Sequence, residues 1–81
     1  MKITVVGMGY VGLSNAIALA QKNTVSVLEI SSEKVNLLNS KRSPIVDSLV
    51  SKYLKKKSID ISATTNSEEA YKGAKYILVC T

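Results

Sequence analysis

Eighty-one residues can form one small domain, and a chain of this length buries only a modest share of its unfolded surface. Hydrophobic residues make up 46% of the chain, which is typical of a globular protein and excludes an intrinsically disordered one. The net charge of +5 is typical of a lysine-rich solvated surface, and attraction to an anionic ligand is the second explanation. Nucleic-acid binding is not expected, because no recognition motif and no interleaving of aromatic and basic residues accompanies the charge.

Cysteine and histidine usage narrows the possible chemistry. Cys80 is the one cysteine and histidine is absent, so no disulfide can form within the chain and no zinc site of the Cys/His type is expected. A Ser-His-Asp or Cys-His nucleophile is excluded for the same reason. No signal-like opening and no apolar run of membrane-spanning length is present. We therefore expect no metal, no membrane association and a reducing, cytoplasmic location.

The first third of the chain has the pattern of a strand, a helix and a second strand. Residues 2–6 are β-branched and bounded by Gly7, which predicts a strand. Residues 11–22 have a helical pattern in which small residues recur every fourth position, and these let the helix lie tightly on a sheet. Asn23 follows and can take the left-handed position that ends a helix. Residues 25–29 predict the second strand.

The middle of the chain predicts two helices. Ser31 or Ser32 can cap a helix that ends before Pro44, since proline disfavours helix at the preceding residue. A further helix is predicted from about Asp47 to Lys56, and the lysines at its end suit the helix dipole and solvent.

The remaining residues predict a strand, a short helix and a final strand. Residues 59–63 alternate apolar and polar side chains, which predicts a strand near a sheet edge. Thr65 and Glu68 form a capping-box pattern for a short helix that ends at Gly73. Residues 75–80 are apolar almost throughout, which is typical of a strand buried on both faces of a parallel sheet. A self-sufficient domain is not expected to end on such a strand, so we expect the chain to be the N-terminal part of a longer protein.

These elements predict an α/β fold with a parallel sheet in the strand order 3-2-1-4 and flanking helices. Right-handed crossovers give that order, which is the first half of a Rossmann-like sheet and therefore an incomplete domain.

A G-x-G-x-x-G motif occupies the turn after the first strand. Gly7 permits the tight turn, Gly9 lets the backbone approach a pyrophosphate, and Gly12 lets the helix pack close to the strand. The N–H groups of Tyr10 and Val11 then face the phosphates, aided by the helix dipole. The motif alone is weak evidence, but its position between a strand and a helix strengthens it.

An acidic residue completes the pattern of a dinucleotide site. Glu29 ends the second strand, seventeen residues after Gly12, where a carboxylate can accept both hydroxyls of an adenine ribose. It also repels a 2′-phosphate, so NAD is favoured over NADP. The alternative is that the glycines serve packing alone and Glu29 is a surface carboxylate, which requires four features to agree by chance.

Three segments resemble the UDP-glucose/GDP-mannose dehydrogenase family, and within it the UDP-glucose 6-dehydrogenases. They are the opening MKITVVGMGYVGLSNAIALAQ, the segment VNLLNSKRSPIVD and the segment ISATTNSEEAYKGAKYILVCT. Together they cover essentially all of residues 1–81, which the resemblance identifies as the N-terminal part of an NAD-binding Rossmann domain.

The resemblance implies roles for particular residues. Tyr10 and Val11 match positions whose backbone approaches the cofactor pyrophosphate, and Glu29 matches the ribose-binding acid. Lys34 matches a basic residue beside the adenosine end, although by itself it reads as an ordinary exposed helix lysine. Thr81 matches a threonine that lines the cofactor cleft.

The resemblance also implies that the full-length protein is an enzyme and a homodimer. By resemblance, it would oxidise the C6 alcohol of UDP-glucose to the carboxylate of UDP-glucuronate and reduce two NAD. The family's catalytic cysteine lies far beyond residue 81, so no catalytic residue is expected in this chain. Two departures stand out: Glu29 replaces the usual Asp, and Cys80, which we interpret as a small buried hydrophobe, replaces a small apolar residue.

Other functions fit parts of the sequence. A dehydrogenase that acts on UDP-N-acetylmannosamine is one alternative. Residues that are not present in this sequence would set the choice of sugar, so the sequence does not separate the two enzymes. A non-catalytic Rossmann nucleotide sensor also opens with a strand and this glycine motif, but it does not explain the Pro44 segment and the helix that follows it. A truncated product with negligible NAD affinity is the third alternative.

Overall fold

The computed structural model describes residues 1–43, 52–55 and 59–80. Four parallel strands form one sheet in the order β3-β2-β1-β4, which confirms the predicted fold. The strands and helices, in chain order, are β1 (Lys2–Val6), α1 (Tyr10–Ala20), β2 (Thr24–Leu28), α2 (Ser32–Asn39), β3 (Ile61–Thr64), α3 (Ser67–Tyr71) and β4 (Tyr76–Val79).

One face of the sheet carries the apolar core. Val5 of β1 pairs with Val27 of β2, and Val27 pairs with Ala63 of β3, so their side chains share a face. These residues pack with Leu13 of α1 and Leu38 of α2, both of which are fully buried. The period of two along the strands and of nearly four along the helices brings these apolar positions together.

The other face of the sheet is more polar and is covered by α3. Thr4 of β1 is fully buried there, and its hydroxyl donates a hydrogen bond to the carbonyl oxygen of Ala70. The Lys2 ammonium donates to the carbonyl oxygens of Glu69 (3.1 Å) and Lys72 (2.6 Å). The last carbonyl groups of a helix have no hydrogen-bond partner within the helix. Side chains of β1 supply donors to these carbonyls and so fix the position of α3.

The outer edge of β3 is closed by a side chain of α2. The Asn39 amide donates to the carbonyl oxygen of Ala63 (2.9 Å) and accepts from the Ala63 N–H (2.7 Å). A primary amide in this orientation reproduces the pairing of a neighbouring strand. The prediction that β3 lies near an edge is confirmed, and Asn39 covers part of that edge.

The final strand differs from the sequence-based prediction. We expected residues 75–80 to be buried on both faces, but every residue of β4 is exposed, and Ile77 is 52% and Val79 63% accessible. The strand pairs with β1 on one side and is the edge of the sheet on the other. The sequence shows how apolar a strand is. Whether that strand is buried depends on which other elements pack against it.

Two helix ends also differ from the predictions. Asn66, not Thr65, caps α3, because its side chain accepts from the Glu69 N–H at 3.0 Å. Asn23 does not adopt the left-handed conformation; its side-chain amide instead donates to the carbonyl oxygen of Leu19. Gly73 does have a positive φ of 74°, as expected for the residue that ends α3.

The predicted helix from Asp47 to Lys56 lies largely outside the described residues. Within it, residues 52–54 are helical and Leu54 is fully buried in the core.

Replacement of Asn39 by alanine is expected to destabilise the protein. The Ala63 N–H and carbonyl oxygen both lose their partner, at a cost of about 1–3 kcal/mol in the free energy of unfolding. Urea unfolding measures the change. Asn36→Ala is the matched control on the same helix, since Asn36 is exposed and we expect a change within about 0.5 kcal/mol. Equal stability of the two variants would contradict the edge-closing role of Asn39.

Candidate functional site: the glycine turn at the end of β1

The glycine motif lies where the strand order of the sheet reverses. β1 is paired with β2 on one side and β4 on the other, and the chain leaves β1 at Val6 to enter the turn. Successive crossovers run away from this point in opposite directions, which leaves a crevice at the carboxyl ends of the two strands. In parallel α/β sheets, ligands bind at such a crevice.

Gly7 makes the turn that leaves β1. Its φ of 101° lies in the region that side chains disfavour, so this position requires glycine for the backbone alone. The Gly7 N–H donates to the carbonyl oxygen of Leu28 at 2.9 Å, which continues the pairing of β1 with β2 by one residue. The turn therefore starts from a fixed point.

Gly12 brings α1 against that turn. A Cβ at residue 12 lies 2.3 Å from the carbonyl oxygen of Gly7 and 3.2 Å from the Cβ of Cys80. Real Cβ atoms do not approach a backbone oxygen so closely, so the contact requires glycine. Gly12 is buried, and its hydrogen atom faces the end of β1.

Gly9 has no such requirement from the protein itself. Its φ of −77° is open to any residue, and a Cβ at this position would meet no atom of the described residues within 4 Å. The space in front of Gly9 is therefore open, and a side chain would fill it. This is the geometry that a close approach of a ligand to the backbone requires.

The N-terminus of α1 faces the same space. Gly9 is its N-cap residue, no side chain hydrogen-bonds to this cap, and its first turn contains no acidic residue. The N-terminus of a helix carries the positive end of the helix dipole and the N–H groups of the first turn. An anionic group is the ligand that such an end stabilises.

Glu29 lies at the end of β2, beside the glycine turn. Its side chain is 9% exposed, and its carboxylate accepts hydrogen bonds from the Met8 N–H (3.0 Å) and the Ser31 N–H (2.8 Å). A carboxylate has about four acceptor positions, so two remain after these contacts. Glu29 is consequently close enough to the glycine turn to form one site with it.

The other predicted site residues lie at the starts of two helices, except for Thr81. Tyr10 and Val11 are 63% and 66% exposed at the start of α1, and Lys34 is exposed in the first turn of α2. Thr81 lies outside the described residues. Cys80, which precedes it, is half-buried and packs against the core, as expected of a small hydrophobe.

Two neighbours of the site were not found from the sequence. Met8 lies between Gly7 and Gly9, and its side chain is buried in the core with 1% exposure. It therefore attaches the turn to the core. Ile30 follows Glu29 and is 95% exposed. The burial of Met8 could have been predicted, because it is an apolar residue inside a glycine-rich turn. Nothing in the strand pattern predicts that Ile30 is exposed.

The described residues hold no group of three or more His, Cys, Asp or Glu side chains that could bind a metal ion. No helix in this part of the chain is long and apolar enough to cross a membrane.

The fold and the turn define a Rossmann-type NAD-binding domain. A family model described as "UDP-glucose/GDP-mannose dehydrogenase family, NAD binding domain" matches residues 1–81, and the chain belongs to this family. NAD is therefore the cofactor of this domain.

Individual relatives agree with this assignment. The chain is 40% identical to the UDP-glucose 6-dehydrogenases of Streptococcus pneumoniae and Campylobacter jejuni, and the alignments cover all of this chain and 21% of each relative. A ternary complex of the GDP-mannose dehydrogenase from Pseudomonas aeruginosa superimposes with a TM-score of 0.89 at 29% identity, covering all of this chain and 19% of that one. The chain thus spans about a fifth of the length of the relatives it matches.

Replacement of Gly12 by alanine is expected to lower the free energy of unfolding by about 1–3 kcal/mol, because the added methyl group overlaps the Gly7 carbonyl oxygen. The same change in an ordinary helix interior is stabilising by about 0.5–1 kcal/mol, so the sign itself is informative. Urea unfolding measures the effect.

Gly9→Ser is the matched control for Gly12→Ala. It adds a Cβ in open space, and serine suits an N-cap position, so we expect a change within about 0.5 kcal/mol. A stable Gly12→Ala variant would show that α1 does not depend on this close contact.

Proposed function

We propose that this chain is the NAD-binding N-terminal segment of a nucleotide-sugar dehydrogenase that oxidises UDP-glucose to UDP-glucuronate with two NAD. One observation carries the proposal most directly. A Cβ at Gly9 would meet no atom of the described residues within 4 Å, although this glycine stands at the positive end of α1 and beside the Glu29 carboxylate. Packing in the described part of the chain does not account for a glycine there, and a bound pyrophosphate does.

Different residues around the turn bind different parts of the cofactor. Gly7 makes the turn and Gly12 lets α1 pack against it, so that the backbone at Gly9, with the N–H groups of Tyr10 and Val11, holds the pyrophosphate. The two remaining acceptor positions of the Glu29 carboxylate take the adenine ribose hydroxyls.

Two further residues complete the proposed site. Lys34, which is exposed on α2, would contact the adenosine end, and Thr81, which lies outside the described residues, matches the threonine that lines the cofactor cleft in the family. The nicotinamide ring supplies the hydride acceptor when NAD is bound. The described residues include no candidate for the substrate chemistry, so this segment contributes cofactor binding.

The choice of UDP-glucose is supported by the relatives. Two UDP-glucose 6-dehydrogenases are 40% identical to this chain, and the GDP-mannose dehydrogenase structure is 29% identical. We further propose that the full-length protein is a cytoplasmic homodimer whose substrate is a UDP-sugar, and that it binds neither nucleic acid nor a membrane. A UDP-N-acetylmannosamine dehydrogenase and a non-catalytic nucleotide sensor are the alternatives that the experiments must separate.

Gly9→Val is expected to weaken NAD binding by about 10- to 100-fold, because the side chain fills the space that the pyrophosphate needs. Isothermal titration of the protein with NAD measures the affinity, and circular dichroism checks the fold. Ala18→Val places the same side chain at an exposed position of α1 and is the control, with unchanged affinity. Undiminished NAD binding by a folded Gly9→Val variant would refute the assignment of the site.

NADH production with three nucleotide sugars tests the activity of the protein as its source cells make it. We expect the highest kcat/KM with UDP-glucose and two NADH formed for each sugar oxidised. Faster turnover of GDP-mannose or UDP-N-acetylmannosamine would assign a different substrate within the same reaction. NAD binding without turnover of any sugar would favour the sensor.

A further inference from the structure

The Glu29 carboxylate joins two separate segments of the chain. Its Oε1 accepts from the N–H of Met8, in the glycine turn, and its Oε2 accepts from the N–H of Ser31, the N-cap residue of α2. We propose that Glu29 is a positioning residue that holds the glycine turn in its phosphate-binding conformation, in addition to any contact with the ribose. This inference rests on the proposed NAD site and adds a role in pyrophosphate binding to a residue expected to recognise only the ribose.

The contacts around Met8 show how the turn is held. Two consecutive N–H groups of the turn donate to two consecutive residues at the end of β2: Gly7 to the carbonyl oxygen of Leu28, and Met8 to the Glu29 carboxylate. The Met8 side chain is at the same time buried in the core. Gly9 therefore follows a residue that is fixed through both its backbone and its side chain.

Because Glu29 is buried, its hydrogen bonds contribute more to stability than those of an exposed carboxylate. A charged group with 9% exposure has little contact with water, so it depends on the N–H groups that face it. Hydrogen bonds to a carboxylate are about twice as strong as those between neutral groups. Loss of the carboxylate leaves the Met8 N–H without its acceptor, and the turn loses one of the contacts that define its shape.

Ligands with and without the ribose hydroxyls separate the two roles. The probes are NAD and its analogue that lacks the 2′- and 3′-hydroxyls of the adenosine ribose, each titrated against the wild-type protein and Glu29→Gln. The glutamine has the same size but offers one acceptor oxygen in place of two. We expect it to weaken the binding of both ligands by about tenfold, because the turn that binds their shared pyrophosphate is disturbed.

The control is Glu33→Gln, which removes the same charge from an exposed position in the first turn of α2. We expect both affinities to stay unchanged in this variant. Weaker binding of NAD alone in Glu29→Gln would overturn the positioning role and leave only a ribose contact. Full affinity for both ligands would overturn both roles.

Hydrogen exchange tests the inference without any ligand. In Glu29→Gln, NMR should show exchange faster by about tenfold at the Met8 amide, the Ser31 amide or both, whereas the Gly7 amide, which donates to Leu28, stays protected. Unchanged exchange at Met8 and Ser31 would overturn the inference. If the wild-type protein binds no NAD, the proposed function fails, and this measurement alone decides the role of Glu29.

A second variant guards against loss of folding in Glu29→Gln. Glu29→Asp keeps the charge but is one methylene shorter, so it is expected to lose one of the two contacts and to speed exchange at Met8 or at Ser31. Full protection of both amides in a folded Glu29→Asp variant would equally contradict the proposal.

Discussion

The close approach of α1 to the end of β1 is the contact on which the rest of the structure depends. Only a hydrogen atom at residue 12 fits beside the Gly7 carbonyl oxygen, which lies 2.3 Å from the place of a Cβ. This approach sets the first turn of α1 directly over the turn that leaves β1, and it aims the helix N-terminus at the space in front of Gly9. The electrostatic part of the site is thus a consequence of packing.

The two faces of the sheet hold β1 in different ways, and both support the turn at its end. On one face, Val5 packs into an apolar core beneath α1 and α2. On the other, Lys2 and Thr4 hydrogen-bond to carbonyl oxygens in the second half of α3 and at the residue that follows it. Since β1 is also paired on both edges, the strand that carries the glycine turn is restrained in every direction. Binding of a rigid pyrophosphate benefits from a site whose backbone is already in place.

Local and long-range features differ in how well the sequence predicted them. Strand order and the helix after the glycines were predicted correctly, because chirality and periodicity act over short distances. Ser31 is one of the two residues predicted to cap α2, whereas the predicted helix ends at Thr65 and Asn23 were wrong. The exposure of β4 and the edge closure by Asn39 were not predicted. Both depend on which residues meet across more than twenty positions, and no local pattern encodes such a meeting.

By itself the sequence determined the fold and the type of site. A β-α-β unit with three spaced glycines and an acid at the end of its second strand can form few other arrangements. The tertiary structure decided what each group does. It separated the glycine that conformation requires, Gly7, from the one that packing requires, Gly12, and from Gly9, which neither requires. It also turned the Glu29 carboxylate towards Met8 and Ser31, because buried charge takes the N–H groups that folding brings within reach.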